Sequence, residues 1–202
     1  MEIVCLDLEG VLVPEVWINF AERTGIKELS ATTRDIPDYD ALMRQRLRIL
    51  DEHGLKIHDI QDVINGMGPL EGAKDFIDRL QQRYQVVILS DTFYEFAEPL
   101  MRQLGWPTLF CHRLEIEADG RVGNYVLRMR DHKRQAVLAF KQLNFKVIAA
   151  GDSYNDTTML KEADAGFLFR APANVIKEFP QFPVTDDYDE LRAMFDRAGA
   201  GF

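Results

Sequence analysis

The run Leu6-Asp7-Leu8-Glu9-Gly10-Val11 sets two acids two residues apart, directly after an apolar stretch. A carboxylate in such a place is costly unless a cation or hydrogen bonds compensate it. Far along the chain, Gly151-Asp152-Ser153-Tyr154-Asn155-Asp156 puts two further acids at the end of another apolar run. Clustered carboxylates repel one another and any phosphate, so the two runs together call for a divalent cation. Magnesium suits them, being a hard ion commonly held by one or two carboxylates while water and substrate phosphate complete the octahedron. Calcium is the alternative, but the spacing is not that of an EF-hand loop.

A phosphate site also needs donors and positive charge where the equatorial oxygens gather charge during transfer. Ser90, which ends Val86-Val87-Ile88-Leu89, and Lys133, which opens the helical pattern Lys133-Arg134-Gln135-Ala136-Val137-Leu138-Ala139-Phe140, can supply both. Each has a plainer reading when taken alone. Asp7 and Ser90 suit turns or helix caps, and a lone lysine is normally a solvated surface residue. Asn155 could contact substrate or phosphate, and Asp156 could orient Lys133 or complete the outer shell of a metal; both also suit the cap of a following helix. His53, His58, His112 and His132 lack metal-ligand spacing and are expected on the surface or in turns, with only His132 near the site.

Strands must carry these residues. Short apolar runs recur at Ile3 to Leu6, Gln85 to Leu89, Lys146 to Ala150 and Gly166 to Phe169, with helical patterns between several of them. Such alternation predicts an α/β domain with a mostly parallel, doubly wound sheet. Ligands collect at the C-terminal strand ends of such sheets, where Asp7, Glu9, Ser90, Asp91 and Asp152 fall. Between Leu6 and Gln85 lies far more chain than the minimum of about 12 residues for a crossover, so a helical insert is expected over 15–67. The remaining core is then 1–14 and 68–202. Pro14 suits the first turn of a helix whose face is Val16, Trp17, Phe20, Ala21 and Thr24, with Trp17 and Phe20 read as core. Asp119-Gly120 predicts a hairpin within 114–126, and helices are expected over 173–179 and 188–198.

In the insert, stepping about 100° per residue gathers Tyr39, Leu42, Met43, Leu47, Ile49 and Leu50 on one face. Arg46 falls in the middle of that face, while Arg44 and Arg48 lie opposite. Its guanidinium stays charged and must meet a partner, unless it snorkels or joins a structural ion pair. Glu15 reads alone as an acid at a helix N-terminus.

Composition narrows the partners. With 202 residues, 47% of them hydrophobic, the chain can bury one good-sized core. Its net charge of −9 and the lack of a long basic block argue against nucleic acid and favour small molecules. Cys5 and Cys111 are too far apart in sequence for a redox or zinc motif and read as free thiols in a reducing compartment. No apolar stretch approaches the roughly 18 residues of a membrane span, and the N-terminus lacks a basic leader, so no membrane association and a cytoplasmic location are expected.

Taken in order, Asp7-Leu8-Glu9-Gly10-Val11, Leu89-Ser90, Lys133 and Gly151-Asp152 through Asn155-Asp156 resemble the four motifs of the haloacid dehalogenase-like superfamily. The resemblance spans nearly the whole chain, and the insert resembles the cap of its phosphoserine phosphatase group. Leu8 to Glu15, Leu89-Ser90-Asp91-Thr92-Phe93-Tyr94 and Gly151 to Thr158 further resemble the branch whose members also transfer phosphate to homoserine. The resemblance implies that Asp7 attacks phosphorus to form an aspartyl-phosphate, while magnesium and Lys133 offset accumulating charge. Asp7 and Asp152 would bind the metal directly, with Glu9 giving its backbone carbonyl. Glu9 would also be the general acid and base, Arg46 would grip a substrate carboxylate, and Glu15 would bind its amino group. Ser90, Asp91, Lys133 and Asn155 would complete the substrate contacts around a phosphorylated amino acid, with Asp156 behind the metal.

Glu9 departs from the pattern, because most relatives that hydrolyse phosphate carry Asp there. The added methylene moves the carboxyl by about 1.5 Å, and catalytic geometry is sensitive to shifts of about 1 Å. Slower water attack that lets an acceptor alcohol such as homoserine compete is the expected consequence. The competing readings are a phosphatase of another small metabolite and a silent phosphometabolite-binding module; a receiver domain would not carry its acceptor before a long insert.

Overall fold

The computed structural model describes residues 1–32, 35–36 and 38–201. The remaining positions of the expected insert, 33, 34 and 37, lie outside the described residues. The chain opens with β1 (Glu2–Leu6), then α1 (Val16–Thr24), α2 (Tyr39–Glu52), α3 (Ile57–Asn65) and α4 (Ala73–Gln81). It continues through β2 (Gln85–Phe93), α5 (Tyr94–Leu104), β3 (Thr108–Ile116), β4 (Val122–Val126) and α6 (His132–Gln142). The last part holds β5 (Lys146–Gly151), α7 (Thr157–Glu162), β6 (Ala165–Phe169), α8 (Ala173–Glu178), β7 (Val184–Thr185) and α9 (Tyr188–Ala200). No helix among the described residues is long and apolar enough to cross a membrane.

The strands form one sheet in the order β4-β3-β2-β1-β5-β6-β7. Only the β3–β4 pair is antiparallel, closed by the turn at Asp119-Gly120 as the sequence predicts. Alternation along each strand explains why the sheet is covered on both faces. Ile3, Cys5, Val87, Leu89, Val147 and Ala149 pack toward Val137 of α6 and Met159 and Leu160 of α7. Their neighbours Val4, Leu6, Val86, Ile88, Ile148 and Ala150 pack toward Phe76 and Ile77 of α4 and Leu191 and Phe195 of α9. The expected doubly wound α/β fold is therefore the one observed. Both cysteines are buried free thiols.

The chain runs outward from β1 through β2 and β3 to β4, then returns to β5 on the other side of β1. That reversal opens a crevice at the C-terminal ends of β1 and β5, where open α/β sheets place their ligands. Four elements in the long connection after β1 then determine what lies above it: α1, a 3-10 turn at Lys27–Ser30, α2 and α3. Helix α2 presents Leu42, Met43, Arg46, Leu47, Ile49 and Leu50 as its buried face, with Tyr39 partly buried beside it. Pro14 lies outside α1, contrary to expectation: the helix begins at Val16, with Glu15 at its N-cap position.

Aromatic packing ties α9 to the sheet beneath the site. Phe195 is fully buried, its ring centroid 6.3 Å from Phe76 and 5.5 Å from Phe167. Truncation to alanine should cost about 3–5 kcal/mol through lost burial and a residual cavity. A lowered urea midpoint with an unchanged m-value would register it; a loss below about 0.5 kcal/mol, the scale of surface substitutions, would mean that α9 does not anchor the sheet.

Candidate active site

Asp7 is the first residue beyond β1, and its N–H donates to the Ala150 carbonyl at 3.0 Å, so the β1–β5 ladder itself positions it. Asp152 follows the end of β5. Ser90 and Asp91 lie inside β2 rather than at its end, because the strand continues to Phe93 past a register shift between Leu89 and Phe93. Such an irregularity bends a strand and re-aims its side chains. Ser90 is buried, and its hydroxyl accepts from the Thr92 N–H at 3.2 Å.

Lys133, in the first turn of α6, is 2% exposed and not a surface residue. Its ammonium lies 2.9 Å from Asp7 Oδ1, 2.8 Å from Asp156 Oδ1 and 3.3 Å from Asp91 Oδ2. Burial alone would lower the lysine pKa, but Asp156, Asp7 and Asp91 reverse the sign and hold it well above its usual value. The Asp7 carboxyl is held well above its usual range, first by burial and then by Asp156, against the pull of Lys133.

Asp7, Asp152 and Asp156 can bring one oxygen each within 4.8 Å of one another, an all-oxygen donor set of the kind a hard cation requires. Two glycines allow this crowding. A Cβ at Gly10, whose φ is +76°, would fall on the Asp152 carboxyl, and one at Gly151 would fall on that of Asp156. Burial, followed by the charge of Asp156, pushes the Asp152 pKa up to about 7. Asp156 is fully buried and bonded through both oxygens: Oδ1 meets Lys133, while Oδ2 accepts from the Asp152 and Ser153 N–H groups at 3.0 and 3.1 Å. The latter bonds cap the 3-10 turn Tyr154–Asp156 that precedes α7.

The long connection supplies the opposite wall. Glu9 Oε2 accepts from the Val16 N–H at 2.9 Å, joining the motif after β1 to the start of α1. Burial, then the charge of Glu15, pushes the Glu9 pKa up to about 8. Arg46 is 7% exposed, its guanidinium 4.4 Å from the Trp17 ring centroid, and it donates to the Ala31 carbonyl at 2.8 Å. Its Nε has no hydrogen-bond partner among the described residues. Burial lowers its pKa to about 10, against the influence of Tyr39, Glu9 and Glu15. A buried cation with an unpaired donor has the capacity to pair with an anion in the cavity.

One cavity of about 570 Å³ collects these groups. It is lined by Asp7, Glu9, Glu15, Arg46, Ser90, Asp91, Lys133, Asp152 and Asn155, leaving only Asp156 of the expected residues behind its wall. Trp17 and Tyr39 also line it, so Trp17 is cavity wall as well as core. Asn155 is turned toward Asp91, donating from Nδ2 to Oδ2 at 2.6 Å.

The histidine expectation fails for two of the four. His112 and His132 are 3% and 4% exposed, line the cavity and face Asp91. Strand alternation carries a signal for His112, since His112, Leu114 and Ile116 alternate with the exposed Arg113 and Glu115 along β3. His132 has no such signal beyond its place beside Lys133.

Residues 1–164 match the family model of haloacid dehalogenase-like hydrolases. The chain is 68% identical over 200 residues to phosphoserine phosphatase ThrH of Pseudomonas aeruginosa, covering 99% of this chain and 98% of that one. It is 69% identical over 198 residues to a phosphoserine phosphatase of Pseudomonas syringae pv. tomato, covering 98% and 84%. The fold is that of an apo phosphoserine phosphatase crystal structure, with a TM-score of 0.77 at 23% identity over 95% of this chain and 98% of that one. With its acids and lysine gathered at the C-terminal ends of β1, β2 and β5, the chain belongs to the haloacid dehalogenase-like hydrolase family.

Proposed function

We propose that this protein is a phosphoserine phosphatase that works through a phosphorylated Asp7 and also passes the phosphoryl group to homoserine. The observation that carries the reading is the Asp7–Lys133 contact of 2.9 Å on the floor of a cavity whose other wall holds Arg46. The two Pseudomonas relatives, each at 68% identity or more, bear the name phosphoserine phosphatase.

The contacts of Asp7 with Lys133 and with the Leu8 N–H both use Oδ1, which leaves Oδ2 to attack phosphorus. The P–O bond to the serine oxygen breaks as the Asp7–phosphorus bond forms, and Glu9 delivers the proton that the alkoxide needs. Lys133 meets the negative charge spreading over the equatorial oxygens. Magnesium held by Asp7, Asp152 and the Glu9 carbonyl would supply Lewis acidity and neutralise charge, and the all-oxygen cluster beside Gly10 and Gly151 fits such an ion. Ser90 and Asn155 complete the phosphate contacts, with Asp156 and Asp91 supporting them from the sides.

The part spanning 15–67 acts as a cap over a core of 1–14 and 68–202. Arg46 pairs with the substrate carboxylate and Glu15 with its ammonium, a combination that favours a phosphorylated amino acid over a sugar phosphate. In the second half-reaction Glu9 takes a proton from the incoming oxygen nucleophile. Its longer side chain disfavours water relative to an alcohol. The products, serine and phosphohomoserine, belong to cytoplasmic amino-acid biosynthesis.

Two outcomes follow. Replacing Arg46 with alanine should raise KM for phosphoserine about 10- to 100-fold, the scale of a lost charge-assisted hydrogen bond. The same change should leave a phosphomonoester without a carboxylate within about threefold; equal losses on both would remove the carboxylate role. With phosphoserine as donor, added homoserine should divert phosphate into phosphohomoserine, and Glu9→Asp should shift that partition toward free phosphate by about 10-fold, within the sensitivity of catalytic geometry to a 1 Å displacement. Product analysis reads both, and an unchanged ratio in the variant would separate Glu9 from acceptor choice.

A further inference from the structure

The expected reaction assigns no task to His112 and His132, yet both are buried within the site and converge on Asp91. Asp91 itself is well occupied. His132 Nε2 lies 3.1 Å from Oδ1, while Asn155 Nδ2 and Lys133 Nζ lie 2.6 and 3.3 Å from Oδ2. His112 Nε2 stands just beyond hydrogen-bond range of Oδ1, at 3.6 Å. A carboxylate offers about four lone-pair sites, so these neighbours leave Asp91 little capacity for a substrate ammonium.

The tautomer of His112 is set by the backbone. Its Nδ1 accepts the Arg128 N–H at 3.1 Å, so Nε2 carries the ring hydrogen and directs it toward Asp91. The His132 ring stands edge-on to that of His112, with centroids 4.5 Å apart. His132 Nδ1 is buried without a hydrogen-bond partner among the described residues, which suits the tautomer that donates from Nε2 to Asp91. The trio has the donor types of a transition-metal site. However, the His112 Nε2 lone pair is tied up by its hydrogen, and the Lys133 ammonium already stands against Asp91. Hydrogen bonding accounts for the cluster and a metal does not.

We propose that His132, packed edge-on against His112, is a positioning residue that acts through Asp91 to hold Lys133 and Asn155 in register with the phosphoryl group. The proposal rests on the reading of Lys133 as the cation facing that group. His132 fixes one carboxylate oxygen, and the other then sets the ammonium between Asp91 and Asp7 while drawing the Asn155 amide to the cavity edge. The Asp91 carboxyl remains ionised for this purpose: burial pushes its pKa up, but Lys133, the two histidines and Asn155 hold it well below the usual range.

The test compares His132→Gln, His132→Leu, Asp91→Asn and the His132→Leu/Asp91→Asn double variant, on phosphoserine and on p-nitrophenyl phosphate. Glutamine keeps a donor near the position of Nε2 and should retain kcat within about threefold. Leucine should lower kcat about 10- to 100-fold with KM changed less than about threefold, as misplacement of a catalytic group does. Asp91→Asn should fall as far, and the double variant should fall no further than the worse single one, because both changes cut the same connection. Thermal midpoints report folding; if the leucine variant does not fold, His132→Ala replaces it in the single and the double variant, with the same losses expected.

Full kcat in His132→Leu, equal loss in the glutamine and leucine variants, or multiplying losses in the double variant would overturn the proposal. So would stoichiometric zinc in the purified protein whose removal abolishes activity. Wild-type protein active on the aryl ester but inactive on phosphoserine would defeat the substrate assignment, and the variant ratios on the aryl ester would still decide the positioning role.

Discussion

Lys133 brings its ammonium to a place where 2% of the side chain meets solvent, and Asp7, Asp156 and Asp91 meet it at 2.9, 2.8 and 3.3 Å. Removing an ion from water costs several kcal/mol, so the lysine tolerates this position only because the carboxylates surround it. The carboxylates depend equally on the lysine. Three acids around one cation, with Asp152 beside them, leave an excess of negative charge that, together with burial, holds the Asp7 and Asp152 carboxyls above their usual range. A divalent cation would offset that excess, and a phosphate dianion can enter only when positive charge predominates near phosphorus.

The fold assembles this cluster from distant parts of the chain. The β1–β5 ladder carries Asp7 and Asp152 to one crevice, the glycines at 10 and 151 let carboxyls crowd against backbone, and α6 begins where its lysine can reach across. The connection after β1 closes the opposite side through Glu9, whose carboxyl is hydrogen-bonded to the first turn of α1. Opposing walls thus differ in chemistry. The strand edge presents the acids and Lys133, while the connection after β1 contributes Arg46 and Glu15 to the same cavity.

Much of this was legible in the sequence, for physical reasons that differ by residue. Strand ends declared themselves through short apolar runs closed by acids, and α2 through a helical period that put Arg46 on the buried face. Lys133 had no local signal, since a helix-opening lysine ordinarily faces water; the ordered set of motifs identified it. His112 and His132 escaped because their burial is decided by non-local contacts with Asp91 and with each other, although alternation along β3 marks His112 in retrospect. The length of β2 was hidden by the register shift after Leu89, and Pro14 misled because its fixed φ suits a helical first turn that the Glu9 bond to Val16 starts later.

The central claim is that Asp7 carries the phosphoryl group, and trapping that species tests it most directly. Protein mixed with phosphoserine labelled at phosphorus and quenched rapidly in acid should retain label on the peptide containing Asp7. That label should be lost on treatment with hydroxylamine and absent from Asp7→Asn. Steady release of phosphate with no labelled protein at any quench time, or label on a peptide without Asp7, would contradict the account.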